Sequence, residues 1–197
     1  MIVFNTRKPR EIVRTITQMS LATVLLSASV FAQAQTWTLS PSSKISFDIR
    51  SAGMSIVNGQ FQKYQSQMNF DPVQPNQGSA KFVMDVNSLK LSKNSLKDMV
   101  FGDSFFHAIK YKTVTFQSNQ IRALGNNKYK FDGQLTMRGV TRPVSFDTTL
   151  TPNASNPNVL NVQSSTVINR SDFGMRKAIG GIGEKVNIKL EGQWKAN

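Results

Sequence analysis

The sequence predicts an all-β domain of antiparallel strands, closed as a barrel or stacked as a sandwich, and three observations predict it. Apolar and polar residues alternate with period two through much of the chain, the mark of strands buried on one face only. Clusters of Gly, Pro, Asn and Asp punctuate the alternation at short intervals. No internal repeat, low-complexity tract or linker divides the chain after residue 34, so one core serves that whole stretch.

The first element is not part of that core. Lys8, Arg10 and Arg14 make a basic head, Ile16 to Phe31 is mostly apolar or small, and Ala32-Gln33-Ala34 supplies a small-x-small pattern. These features predict an export signal over residues 1–34, cleaved after Ala34, and a mature domain over residues 35–197. The apolar run is diluted by Thr17, Gln18 and Ser20 and falls short of the ~20 residues that span a bilayer. The chain has no cysteine, which excludes disulfides, Cys-ligated metals and thiol catalysis. Export without disulfides predicts a soluble protein of the bacterial periplasm.

The 197 residues carry 24 Lys and Arg against 11 Asp and Glu, a net +13. Four of those cations and one of the acids lie in the signal, leaving 20 against 10 in the mature domain. Such a surface attracts anions. Export makes nucleic acid the least suited partner and leaves peripheral contact with an anionic membrane surface, or simple solvation of outward strand positions.

The alternation is clearest from Lys44 to Arg50, where every odd position is apolar and every even one polar. It recurs in Gln67–Asp71, Lys130–Arg138, Val144–Asp147, Leu160–Gln163 and Lys185–Glu191. Turns are expected at Asn58-Gly59, Asp71–Gly78, Gly125–Asn127 and Pro152–Asn158. The stretch from Ser88 to Lys110 breaks the pattern. Asn94 to Phe101 places apolar residues at helical intervals, and Asp103 to His107 can cap and start a further turn, so one or two short helices are expected there, over one mouth of the sheet.

Catalytic chemistry finds little to build on. The single histidine, His107, follows Phe105 and Phe106 and would need convergent partners to ligate a metal or serve a triad. Asp98 and Asp103 are spaced so that a helix would not bring them to one face, and helix capping suits them better. The glycines from Gly180 to Gly183 lack the context of a phosphate loop and read as a turn. The acceptor triplets at Asn153 and Asn169 carry little weight in a bacterial chain. No enzyme activity, cofactor or metal is therefore expected.

Several segments together resemble one known family. Trp37 to Phe47 (WTLSPSSKISF) and Gly53 to Phe61 (GMSIVNGQF) are similar to the opening of the YceI-like, polyisoprenoid-binding family. Asp103 to Phe116 (DSFFHAIKYKTVTF) resembles its central segment, Gly133 to Val144 (GQLTMRGVTRPV) its most recognisable stretch, Arg170 to Met175 (RSDFGM) the next, and Val186 to Ile188 its closing strand. Ser51 stands where many members carry histidine, and Lys112 where proline is usual after Tyr111.

The resemblance implies a lipocalin-like, up-and-down antiparallel β-barrel of about eight strands with a short helical insert. It also implies a periplasmic or secreted carrier whose apolar interior holds an isoprenoid or another long-chain lipid. Inward members of the strands are then expected to line the interior: Phe47, Ile49, Phe70, Phe82, Met84, Phe116, Phe131, Leu135, Met137, Phe146 and Ile188. Phe101, Phe105 and Phe106 of the insert, with Phe61 and Phe173, are expected to gate or floor it. Arg138, Arg170 and Asp172 are candidates for the mouth: the arginines could pair with a headgroup, or Arg170 with Asp172 could form a structural ion pair.

Three other readings compete. An outer-membrane barrel shares the signal and the alternation, but the polar insert and the non-aromatic C-terminus speak against it. A lipid-modifying enzyme would need Asp98, Asp103 or His107 to converge. A non-catalytic stress-response or structural protein of the periplasm would have an interior filled by its own side chains.

Overall fold

The structure, a computed structural model, describes residues 35–52, 54–176 and 181–197. The expected signal over residues 1–34 with its cleavage after Ala34, Gly53 of the second matching segment and Gly180 of the glycine turn lie outside them.

The described residues form strands β1 (Gln35–Leu39), β2 (Lys44–Ser51), β3 (Met54–Phe61), β4 (Tyr64–Phe70), β5 (Ser79–Asp85) and β6 (Leu89–Leu91). One helix, α1 (Lys97–Phe101), precedes β7 (Thr113–Gly125), β8 (Lys128–Met137), β9 (Val140–Asn153), β10 (Asn156–Asn169) and β11 (Lys185–Ala196).

The pairing resolves these into eight antiparallel staves. β1 and β2 lie end to end along one edge of β11, β1 from Trp37↔Ala196 to Leu39↔Trp194 and β2 from Lys44↔Glu191 to Ile49↔Val186. β4 and β3 follow them as the next stave, and β5 and β6 as the third. β7 to β11 complete the set, each beside its neighbour in sequence, and the β1–β11 pairing closes the ring. This is the expected up-and-down barrel. Closure removes most of the free sheet edge; what is left lies beside β6 and where β9 and β10 part.

The break between β1 and β2 is held by Tyr64, whose hydroxyl donates to the carbonyls of Ser40 (2.9 Å) and Ser43 (3.0 Å). Burial pushes the pKa of that phenol up, so it stays a donor.

Inward and outward positions follow the alternation. On β2 the odd residues Ile45, Phe47 and Ile49 are buried; on β8 Tyr129, Phe131, Leu135 and Met137 are buried. Two inward glycines make room for rings. A Cβ at Gly59 would stand 2.6 Å from the ring of its cross-strand partner Phe47, and one at Gly133 would meet Gln117 O and the Phe116 ring.

The insert differs in detail from the expectation. Leu89–Leu91 is a short strand on β3, so the insert begins only at Ser92. It contains a 3₁₀ turn at Asn94–Leu96 and the five-residue α1, while 102–111 is a series of hydrogen-bonded turns rather than a second helix. Asp98 does not cap α1: the N-cap position is Leu96, and no side chain caps it. Packing of Val100, Phe105 and Phe106 into the barrel end, all three buried, holds a segment too short to be helical by itself.

On the outer face, Asp132 of β8 accepts a hydrogen bond from Ser145 of β9 and pairs with Arg122 of β7 at 2.8 Å. The Ser145 hydrogen bond, with Arg122 and Lys130 behind it, holds this carboxyl below its ordinary pKa of 3.8 against an opposing effect of burial. A lowered folded-state pKa contributes stability above the unfolded value and loses it as pH falls through the folded one. The melting-temperature lead of wild type over Asp132→Asn is therefore expected to be largest near neutral pH and to shrink in acid below pH 3.8. A lead independent of pH would remove the charge from the explanation.

Candidate functional site

The two halves of the barrel are filled differently. Toward the end holding both chain termini of the domain, Trp37, Met68, Phe70, Ile121, Tyr129, Leu150 and Leu160 form a solid buried core. Trp37 donates its indole N–H to Phe70 O at 3.3 Å, and Phe70 meets Tyr129 edge-on at 5.2 Å. Above this floor lies a cavity of about 100 Å³ open to the centre of a water molecule.

Thirteen of the sixteen residues expected to line the interior border that cavity: Phe47, Ile49, Phe61, Phe82, Met84, Phe105, Phe106, Phe116, Phe131, Leu135, Met137, Phe146 and Ile188. Phe70, Phe101 and Phe173 do not border it. Phe70 lies in the solid floor; Phe101 is half-buried on the insert; Phe173, the last residue of the 3₁₀ turn after β10, is buried in the core without bordering the cavity.

The aromatic rings interlock around the space. Phe106 of the insert sits 5.9 Å from Phe47 and 6.4 Å from Phe61. Phe116 contacts Phe146 at 4.9 Å, and Phe82 contacts Trp194 at 5.5 Å. Trp194, 2 % exposed, closes the floor. It was within reach of the sequence, because the alternation Val186, Ile188, Leu190 continues through Gly192 to it.

The sequence reading also missed the few polar groups on the wall. Thr148 and Ser164 face inward across β9 and β10, where their hydroxyls share a 2.6 Å hydrogen bond. Just above that bond the barrel wall parts: the β9–β10 ladder ends at Asp147↔Ser165, leaving Val140–Phe146 without β10 partners. Arg142 bridges the gap by donating to Asp172 O at 3.1 Å.

The three mouth candidates have separate roles. Arg170 is fully buried, and its three guanidinium nitrogens donate to main-chain carbonyls, Nε to Gly183 O (2.9 Å), Nη1 to Arg176 O and Nη2 to Ile182 O (3.2 Å). Its plane lies over the Phe105 ring at 5.1 Å, and the carboxylate beside it is Glu184, 3.9 Å away. The expected Arg170–Asp172 pair is thus replaced: Asp172 accepts from the Asn169 amide instead. The cause is the 3₁₀ turn Arg170–Phe173, ended by Gly174 at φ 73°, which turns Arg170 inward while Asp172 stays exposed.

Arg138 occupies the two-residue turn between β8 and β9 with Gly139, both at positive φ. Its guanidinium donates to Asp103 O (2.8 Å) and Phe105 O (2.6 Å), tying the insert down on the mouth. His107 does not border the cavity; its ring stands edge-on to Tyr111 at 5.7 Å. Among the described residues no three His, Asp or Glu side chains gather as a metal site would require, and no helix is long and apolar enough to cross a membrane.

Comparison with known proteins places this architecture. A protein of Yersinia pestis named UPF0312 protein is 26 % identical over 149 residues, covering 74 % of this chain and 77 % of its own. The crystal structure of Burkholderia cenocepacia BcnA superposes with a TM-score of 0.72 at 29 % identity, over 81 % of this chain and 99 % of that one. A polyisoprenoid-binding domain from Saccharophagus degradans, implicated in plant cell wall breakdown, shares the fold with a TM-score of 0.61 at 15 % identity, over 84 % and 99 %. The family model for the YceI-like domain matches residues 37–194, nearly the whole barrel, and the chain belongs to the YceI-like family.

Proposed function

We propose that this chain is a non-catalytic carrier that holds an isoprenoid or other long-chain amphiphilic lipid in the upper half of its barrel, in the periplasm. The observation that carries the reading is the cavity itself, lined by Phe, Met, Leu, Ile and Val above a solid floor, with only a few polar side chains among them. Membership of the YceI-like family and likeness to a domain described as polyisoprenoid-binding support the choice of cargo. The export signal read from the sequence supports the compartment.

The energetics favour a chain-like ligand. Each methylene buried contributes ~0.8 kcal/mol, so ten carbons contribute roughly 8 kcal/mol before the entropic cost of association. No dedicated polar site is needed for that, and specificity follows length and shape. A cavity of about 100 Å³ is small for such a chain. The interior must widen on binding, and Phe82, Phe146 and Ile188, the half-buried apolar members of the lining, are the side chains with room to give way. Met84, Met137 and Met175 adapt to the chain through their flexible thioethers. The buried Arg170 closes the top with its donors spent on the protein, so it shapes the mouth and leaves headgroups to solvent.

The test is extraction of the natively purified protein with organic solvent and mass spectrometry of the extract. A long-chain lipid near one per protein is expected from wild type. Ile188→Trp, which places an indole in the cavity, is expected to fold and to lose that lipid. An empty wild type that also fails to take up an added isoprenoid alcohol would leave a barrel without fixed cargo and sink the proposal.

A further inference from the structure

The end of the barrel that carries the insert differs from the other in charge as well as in shape. Because successive staves run antiparallel, the Ser51↔Met54 end of the β2–β3 pair, the insert, the Arg138–Gly139 turn and the 3₁₀ turn Arg170–Phe173 all emerge together there. Exposed on these segments and directly beside them are Lys93, Lys97, Lys110 and Lys112, Arg142 near the start of β9 and Arg176 after the 3₁₀ turn, against the exposed carboxylates Asp98, Asp103 and Asp172. Toward the opposite end Lys81, Arg122, Lys128, Lys130 and Lys195 stand against Asp71, Asp132, Asp147 and Glu191, and two couples there are ion-paired: Arg122 with Asp132 at 2.8 Å and Lys130 with Asp147 at 2.7 Å.

Large apolar side chains protrude from the same basic end. Ile109 is 86 % exposed in the loop that also carries Lys110 and Lys112, and Met54 is 67 % exposed where β3 begins. Neither fills the core, yet the backbone beneath Ile109 is fixed, since Lys110 N and Tyr111 N both donate to His107 O and Ala108 is buried. The other end also exposes Val73 and Leu124, and the charged groups that share a surface hollow with Leu124 are two lysines, Lys128 and Lys189, and two carboxylates, Asp147 and Glu191.

We propose that the insert end docks on the surface of an anionic phospholipid bilayer. Ile109 and Met54 enter the headgroup layer, and the basic side chains around them face the lipid phosphates. Apolar side chains and clustered cations each add to such binding, the first by burial and the second by attraction to the negative surface potential. Docking in this pose sets the cavity's mouth against the membrane. It does not depend on the barrel holding a lipid, and the cavity-filled variant separates the two readings.

The experiment is co-sedimentation of the protein, in the form the cell produces, with vesicles of phosphatidylcholine alone or mixed with phosphatidylglycerol. Binding to the mixed vesicles is expected, with weaker binding as salt is raised. Lys93→Glu with Lys97→Glu is expected to lower it about tenfold, and Ile109→Ser with Met54→Ser to lower it several-fold. Lys128→Glu with Val73→Ser at the opposite end, and Ile188→Trp in the cavity, are expected to leave it unchanged. All these surface positions are exposed, and equal melting temperatures show that the variants fold. Absence of binding to the mixed vesicles, equal binding to neutral ones, or an equal loss from the opposite-end variant overturns the proposal.

Discussion

Arg170→Met is expected to cost the domain about 3–5 kcal/mol, the usual penalty for removing one partner from a buried charged network. Methionine matches the length of the aliphatic stem and keeps the contact with Phe105, so the loss is electrostatic rather than steric. The carbonyls of Arg176, Ile182 and Gly183 lose their donor together, and Glu184 loses its buried cation. For a domain of this size each kcal/mol moves the melting temperature by roughly 2–4 °C, giving a fall of ~10 °C. Arg170→Lys is expected to recover only part of it, because an ammonium cannot reach three diverging carbonyls as a planar fork does. Thermal melts of the three proteins check this. A methionine variant within one or two degrees of wild type would mean that those carbonyls find water instead.

Trp194→Ala is expected to be the other large loss, about 3–5 kcal/mol, as for other buried tryptophans. The indole packs on Phe82 and separates the cavity from the solid core around Trp37 and Met68. Its removal joins new space to the floor of the cavity. The stability loss should therefore come with a gain in capacity: longer apolar chains than wild type retains, read by mass spectrometry of the extracted lipid. Loss of stability with unchanged cargo would place the chain away from the floor. Trp194→Phe, which keeps a ring against Phe82, is expected to fall between the two.

Much of the barrel was legible because a period-two pattern assigns each residue to a face. Wherever the outward positions are polar, as on β2, β8 and β11, the inward residues could be named directly. β5 and β7 were harder. Val83 is an outward apolar residue that blurs the alternation of Ala80, Phe82 and Met84. In β7 the ladder skips between Ser118 and Gln120, so the inward set passes from even positions (Val114, Phe116, Ser118) to odd ones (Ile121). A bulge of this kind flips the face of everything after it. Nothing in the local residues announces it.

The residues also pointed to an insert over Ser88–Lys110, because its apolar spacing fits no strand. They could not say that it would be mostly turns, since its conformation comes from Phe105 and Phe106 seating in the barrel and from Arg138 holding two of its carbonyls.

The sequence by itself determined the all-β class, the inward faces of the clear strands and the aromatic character of the interior, since these rest on spacing and side-chain chemistry alone. Only the tertiary structure decided that eleven strands merge into eight staves, that Phe70 belongs to a solid floor and Phe131 to a cavity, and that Arg170 turns inward to Glu184 while Asp172 stays outside. The physical reason is that alternation fixes which way a side chain points. How deep along the barrel it lies, and what meets it there, depend on register and closure between segments far apart in the chain.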